Sequence, residues 1–304
     1  MIKNSTLRRR ILKAKLGLAT GLAAVALGTA LYAKEFGEWS APVSAEVGSH
    51  FNLNTASNDG CPILSPDGLS LYMATNRPGG LGGQDIWIAR RDSVTDGWGE
   101  PVNAGAPVNS AVDDFCPTPV RGRRLFFVSR RDDANGDIYE TRLDRDGWRV
   151  PTRLGPDVNS TAQEWSPSYF EDEAGNEVLY FSSTRAGGQD IYASINYGPA
   201  QAVGELNTAS DDARPNVRRD GREIVFDSTR PGTLGGPDIW IATRPDTASP
   251  WSAPEHLAHL SSPAGDTRAS LSWDGTFMVF GSGRSGGEGQ ADIYVSTRPR
   301  LTGQ

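Results

Sequence analysis

The triplet Asp-Ile-aromatic is written five times in this chain: Asp85-Ile86-Trp87, Asp137-Ile138-Tyr139, Asp190-Ile191-Tyr192, Asp238-Ile239-Trp240 and Asp292-Ile293-Tyr294. The copies recur at steps of about fifty residues, a fixed period that marks a propeller or solenoid array. Asp is a poor strand residue, whereas Ile and an aromatic suit a pleated surface, so each copy reads as a loop ending and a strand beginning. The chain also carries 35 Gly and 20 Pro. Short apolar runs in that setting fit a turn-rich all-β protein.

Each period holds four strand-like pieces. The first runs into a tight turn, most clearly Cys61-Pro62-Ile63-Leu64 before Ser65-Pro66-Asp67-Gly68. Asp-Gly is a hairpin signal because Gly accepts positive φ, and it returns at Asp220-Gly221 and Asp274-Gly275. The second piece is the most apolar and is followed by a loop carrying Arg77, Arg131, Arg185, Arg230 or Arg284. The third is the Asp-Ile-aromatic strand. The fourth opens with an aromatic and a nearby Pro, as at Trp39/Pro42, Trp98/Pro101, Trp148/Pro151 and Trp251/Pro254. Pro confines a strand to an edge, which makes this piece the outer one.

The first fourth-type piece, at Trp39, precedes every other strand, and the last period lacks one. The N-terminal strand is therefore expected to complete the C-terminal blade. The fold expected is a single β-propeller of five four-stranded blades over residues 34–300, a monomer, with 301–304 as a tail.

Residues 1–33 stand apart. Lys3, Arg8, Arg9, Arg10, Lys13 and Lys15 precede an acid-free apolar run over 16–33. This is the pattern of an export signal, twin-arginine-like at 7–13, or of an N-terminal anchor. A periplasmic or secreted protein is the expectation. Removing the six basic residues takes the formal net charge from −7 to −13. Such an acidic domain disfavours nucleic acid and anionic lipid as partners.

Ser-Pro-Asp-Gly-x-x-Leu-Tyr at 65–72, then Arg with Gly-Gly, then Asp-Ile-Tyr/Trp, resembles the WD40-like repeats of the TolB-like superfamily. The resemblance implies a propeller and leaves function open, since propellers host both enzymes and binding scaffolds.

An acid recurs immediately before each innermost strand: Asp59, Asp114, Glu164, Asp212 and Asp266. Two readings are open. The acids ring the mouth of the central channel as a binding funnel, where the oxygen chemistry would suit Ca²⁺ better than a transition metal. Alternatively, each meets an Arg of the repeat in a structural clip. Symmetry is broken two residues further on, at Cys61, Cys116, Ser166, Arg214 and Arg268, with Phe115 and Trp165 between. Arg214 and Arg268 beside Phe115 and Trp165 would suit a sugar ring or an acidic ligand. Cys61 and Cys116 hold one repeat position in adjacent blades, open to a disulfide or to packing as thiols.

His256 and His259 do not supply a zinc ligand set. No nucleophile elbow or phosphate-binding loop is present. On this reading the chain is a non-catalytic exported scaffold, binding a protein or glycan at the channel mouth. The alternative is a glycosidase-like enzyme using carboxylates at the central pocket.

Overall fold

The structure, a computed structural model, describes residues 35–301; the expected export signal and the end of the tail lie outside the described residues. Among the described residues five four-stranded antiparallel sheets are arranged as a propeller. Blade 1 shows the pattern: β2 (Asp59–Leu64) is innermost, then β3 (Ser70–Thr75), β4 (Asp85–Arg90) and β5 (Val102–Asn103) at the rim. The innermost strands of blades 2 to 5 are Asp114–Val120, Glu164–Glu171, Asp212–Val217 and Asp266–Leu271. Each packs against the innermost strand of the next blade, and the last against β2.

Blade 5 is built from both chain ends. Strand β1 (Val43–Ser44) pairs with Asp292–Thr297, setting Val43 against Val295 and Ser44 against Tyr294. The junction is more than this short ladder. The Ser40 amide donates to Thr297 O at 2.7 Å, Trp39 packs into a buried cluster with Tyr294 and Phe280, and Arg298 stacks over its indole at 4.3 Å. No open sheet edge is left at the join.

The outer strands are only two residues long, and their prolines give the reason. Pro42, Pro101 and Pro254 immediately precede β1, β5 and Glu255–His256, and Pro151 precedes Thr152–Arg153. A residue without an amide hydrogen ends the ladder there. The core lies between blades. Phe170, Tyr180 and Ile191 of blade 3, for example, bury against Val217, Ile224 and Phe226 of blade 4.

The Asn of each Asn-Ser/Thr loop works as a backbone substitute. Asn109 accepts from Ile86 N and donates to Ile86 O, both at 2.9 Å, and Asn54 does the same to Ile293. These side chains satisfy buried groups of the Asp-Ile strand that would otherwise lack partners.

Candidate functional site

The repeat motif itself is a structural clip. Arg77 reaches Asp59 at 2.7 Å, Arg131 reaches Asp114 at 2.7 Å, Arg185 reaches Glu164 at 3.1 Å, Arg230 reaches Asp212 at 2.5 Å and Arg284 reaches Asp266 at 2.7 Å. All five acids are fully buried. Each also accepts from the Ser or Thr four residues earlier, as Thr55 N and Oγ1 to Asp59. The guanidiniums donate to loop carbonyls such as Leu53 O and Val108 O and stack on the aromatic of Asp-Ile-aromatic, from Trp87 to Tyr294. With every oxygen engaged inside its own blade, these carboxylates do not line a cavity. The expected binding funnel of acids is replaced by five clips.

The axis is lined instead by the residue two positions on. Cys61, Cys116, Ser166, Arg214 and Arg268 all adopt left-handed backbone, with φ between +47° and +55°. The ladder between the two inner strands slips at each of these points. Pro62, Pro117, Pro167 and Pro215 follow the first four. Pro cannot donate to a ladder, so the chain bulges and turns the preceding side chain toward the axis. Cys61 and Cys116 are joined there as a disulfide with Cα atoms 4.9 Å apart. Ser166 donates to Cys116 Sγ at 3.3 Å.

Arg268 fills the axis. Its Nη1 donates to Ser166 O and Pro215 O, and its Nη2 to Pro117 O, Pro167 O and Thr118 Oγ1, at 3.1 to 3.4 Å. Three other blades thus supply acceptors to one guanidinium. Burial pushes its pKa down to about 9, with Asp227 acting against that. Above Arg268 opens a cavity of about 350 Å³ on the face of the Arg loops, lined among others by Phe115, Trp165, Asp113, Arg130 and Arg214. Phe115 and Trp165 meet edge to face at 5.5 Å, and Arg130 lies over both rings at 5.6 and 5.8 Å. The sequence thus located Phe115, Trp165, Arg214 and Arg268 on one cavity wall or floor.

One carboxylate lines this cavity, Asp113, and a second, Asp227, lies buried beneath Arg214 of its wall. Asp113 of blade 2 has a partly exposed side chain and accepts from Arg130 at 2.5 Å and from Gln84 N at 2.9 Å. Asp227 of blade 4 is buried beneath Arg214, which donates to it at 2.5 Å, and it accepts from Arg268 N at 3.0 Å. Burial raises its pKa, opposed by Arg214 and Arg268. Asp227 stands where the other blades carry Ala74, Val128, Ser182 and Gly281, and that solitary acid is the available signal; Asp113 shares its position, and its bond from a Gln amide, with Asp211 of blade 4.

A larger cavity, about 910 Å³, opens at the other end of the axis among the hairpin turns. Three of its carboxylates belong to the turns: Asp67 accepts from Ser65 and Leu69, Asp172 from Asn176, and Asp274 from Ser272 and Thr276. These bonds hold all three pKa values below the usual range, for Asp274 against its burial. The buried charged group in this opening is Arg218, whose ion pairs with Asp220 and Glu35 hold its charge, against its burial. The smaller cavity instead holds Arg268, whose side chain lacks a carboxylate partner and whose proton affinity burial lowers, beside Phe115 and Trp165, and is the better candidate.

No family model matches the sequence, and no curated protein matches it. Solved structures share the fold. An α-L-arabinofuranosidase of Lactobacillus brevis superposes with a TM-score of 0.58 at 13% identity, covering 84% of this chain and 94% of its own. A thermostable family-43 glycoside hydrolase gives 0.57 at 14%, covering 83% and 92%. An endo-arabinase of Bacteroides thetaiotaomicron gives 0.55 at 16%, covering 86% and 98%. The five-bladed fold is one that glycoside hydrolases use. A protein named as a TolB of Agrobacterium tumefaciens gives 0.49 at 16%, covering 83% and 78%, too low to support the WD40-like, TolB-like resemblance. These likenesses correct the expectation of a non-catalytic scaffold, since the solved structures that share the fold are named as glycoside hydrolases.

Proposed function

We propose that this protein is a glycan-active, glycosidase-like propeller, exported by its N-terminal segment, whose substrate enters the axial cavity on the Arg-loop face. The observation that carries this reading is the pair Asp113 and Asp227, contributed by non-adjacent blades and held in opposite environments. Glycoside hydrolysis needs one carboxyl protonated and one ionised on either side of the scissile bond. Burial favours the proton on Asp227, whereas Asp113 faces the cavity as a partner of Arg130.

In this assignment Asp113 takes a proton from water as it attacks the anomeric carbon. Asp227 delivers its proton to the departing glycosidic oxygen, and the C–O bond breaks. Arg214, which covers Asp227, turns aside toward the substrate to open that path. Phe115 and Trp165 provide the aromatic wall on which a sugar face rests.

Release of reducing ends from arabinan, xylan and pectic polysaccharides tests this. Asp113→Asn and Asp227→Asn should each lower the rate by about a hundredfold or more. Unchanged turnover in both variants, or no hydrolysis of any glycan by the natural sequence, would remove the reading.

A further inference from the structure

The charges around the axial cavity do not balance. Arg130 is matched by Asp113, whereas Arg214 has only Asp227, whose burial favours the neutral carboxyl. Arg268 has no carboxylate on its side chain: its guanidinium donates only to carbonyls and one hydroxyl, and Asp227 takes its backbone amide instead. Its Nε is buried without an acceptor. Three guanidiniums therefore face two carboxyl groups, one of them favouring its proton, in a chain whose formal net charge is −7. A buried cation at the floor of a concave, aromatic-walled cavity is costly unless a ligand supplies the missing anion.

We infer that the axial cavity is built for an acidic saccharide, a uronic acid whose carboxylate is received by Arg268 and Arg214 while its ring lies against Trp165. This rests on the glycan reading and narrows it to a substrate class. A guanidinium fork matches a carboxylate geometrically. The half-buried indole supplies the apolar face that a small inorganic anion would not use. The cavity lies at the small end of ligand sites, suiting a single bound uronate ring rather than a long chain segment.

Calorimetric titration of the full chain with trigalacturonate, arabinotriose, xylotriose and acetate tests the inference. Trigalacturonate should bind at least tenfold more tightly than either neutral trisaccharide, and more weakly as salt rises. Arg214→Gln should weaken it tenfold or more. Gly60→Leu provides a second variant: Gly60 lines the cavity, and a Cβ there meets nothing within 4 Å. That substitution fills the cavity from an unobstructed position and should abolish binding without unfolding the protein. Equal or tighter binding of the neutral trisaccharides would overturn the acidic preference and leave the glycan reading standing. Binding of no saccharide at all would overturn both. Acetate binding as tightly as trigalacturonate would overturn recognition of the sugar.

Discussion

Cys61 and Cys116 lie 55 residues apart in sequence, yet their Cα atoms are 4.9 Å apart and their sulfurs are bonded. The pair staples blades 1 and 2 at the wall of the axial cavity. Alkylation followed by mass measurement should find no free thiol before reduction and two after it. Replacing both by Ser should lower stability by about 2–4 kcal/mol. Two alkylated thiols in unreduced protein would contradict the bridge.

The clips carry the ring. Arg230→Met would leave Asp212 buried without its partner, a loss of about 3–5 kcal/mol in urea unfolding. Adding Asp212→Asn should restore part of it, because the stranded charge is then gone. A single variant within about 0.5 kcal/mol of the natural sequence would show that the clip is not structural.

Closure of blade 5 depends on Trp39. Trp39→Ala removes a buried indole from the cluster shared with Tyr294 and Phe280, a cost of about 3–5 kcal/mol. An effect confined to fraying of the N-terminal residues, with the global unfolding midpoint unchanged, would place closure elsewhere.

How much of this was readable from the chain follows from which residues repeat. Asp-Ile-aromatic, the loop arginines and the acid before each innermost strand recur in every blade, so the period and the five blades could be read directly, whereas the sequence left the acids open between a funnel and clips. Trp39 standing ahead of the first full period disclosed the closure. The left-handed bulge at Cys61, Cys116, Ser166, Arg214 and Arg268 was hidden, because no residue type there demands positive φ. Only the prolines that follow four of them hinted at a broken ladder. That bulge is what brings the two cysteines within bonding distance, although adjacent blades splay. Asp227 escaped notice for the converse reason, since its position carries an acid in no other blade; Asp113 did so because Asp211 repeats it in blade 4 with the same bond from a Gln amide.

Asp227 gives the fold a dependence on pH. Its folded-state pKa is raised, so the native protein holds more protons than the unfolded chain above the unfolded value of about 3.9. Its contribution to stability is therefore lost as pH rises from there through the folded value, and is level beyond it. Urea midpoints measured from pH 4 to 8 should fall less steeply with pH in Asp227→Asn than in the natural sequence. A steeper fall in the variant would reverse the assignment of the proton.

A structure of the protein crystallised with an oligosaccharide tests the central claim most directly, because the two ends of the axis offer competing cavities. The sugar should occupy the Arg-loop face, with a ring on Trp165 and polar groups at Arg214, Arg268 and Asp113. A sugar seated instead at the opposite opening, against Trp273 between Arg121 and Arg219, would contradict the account.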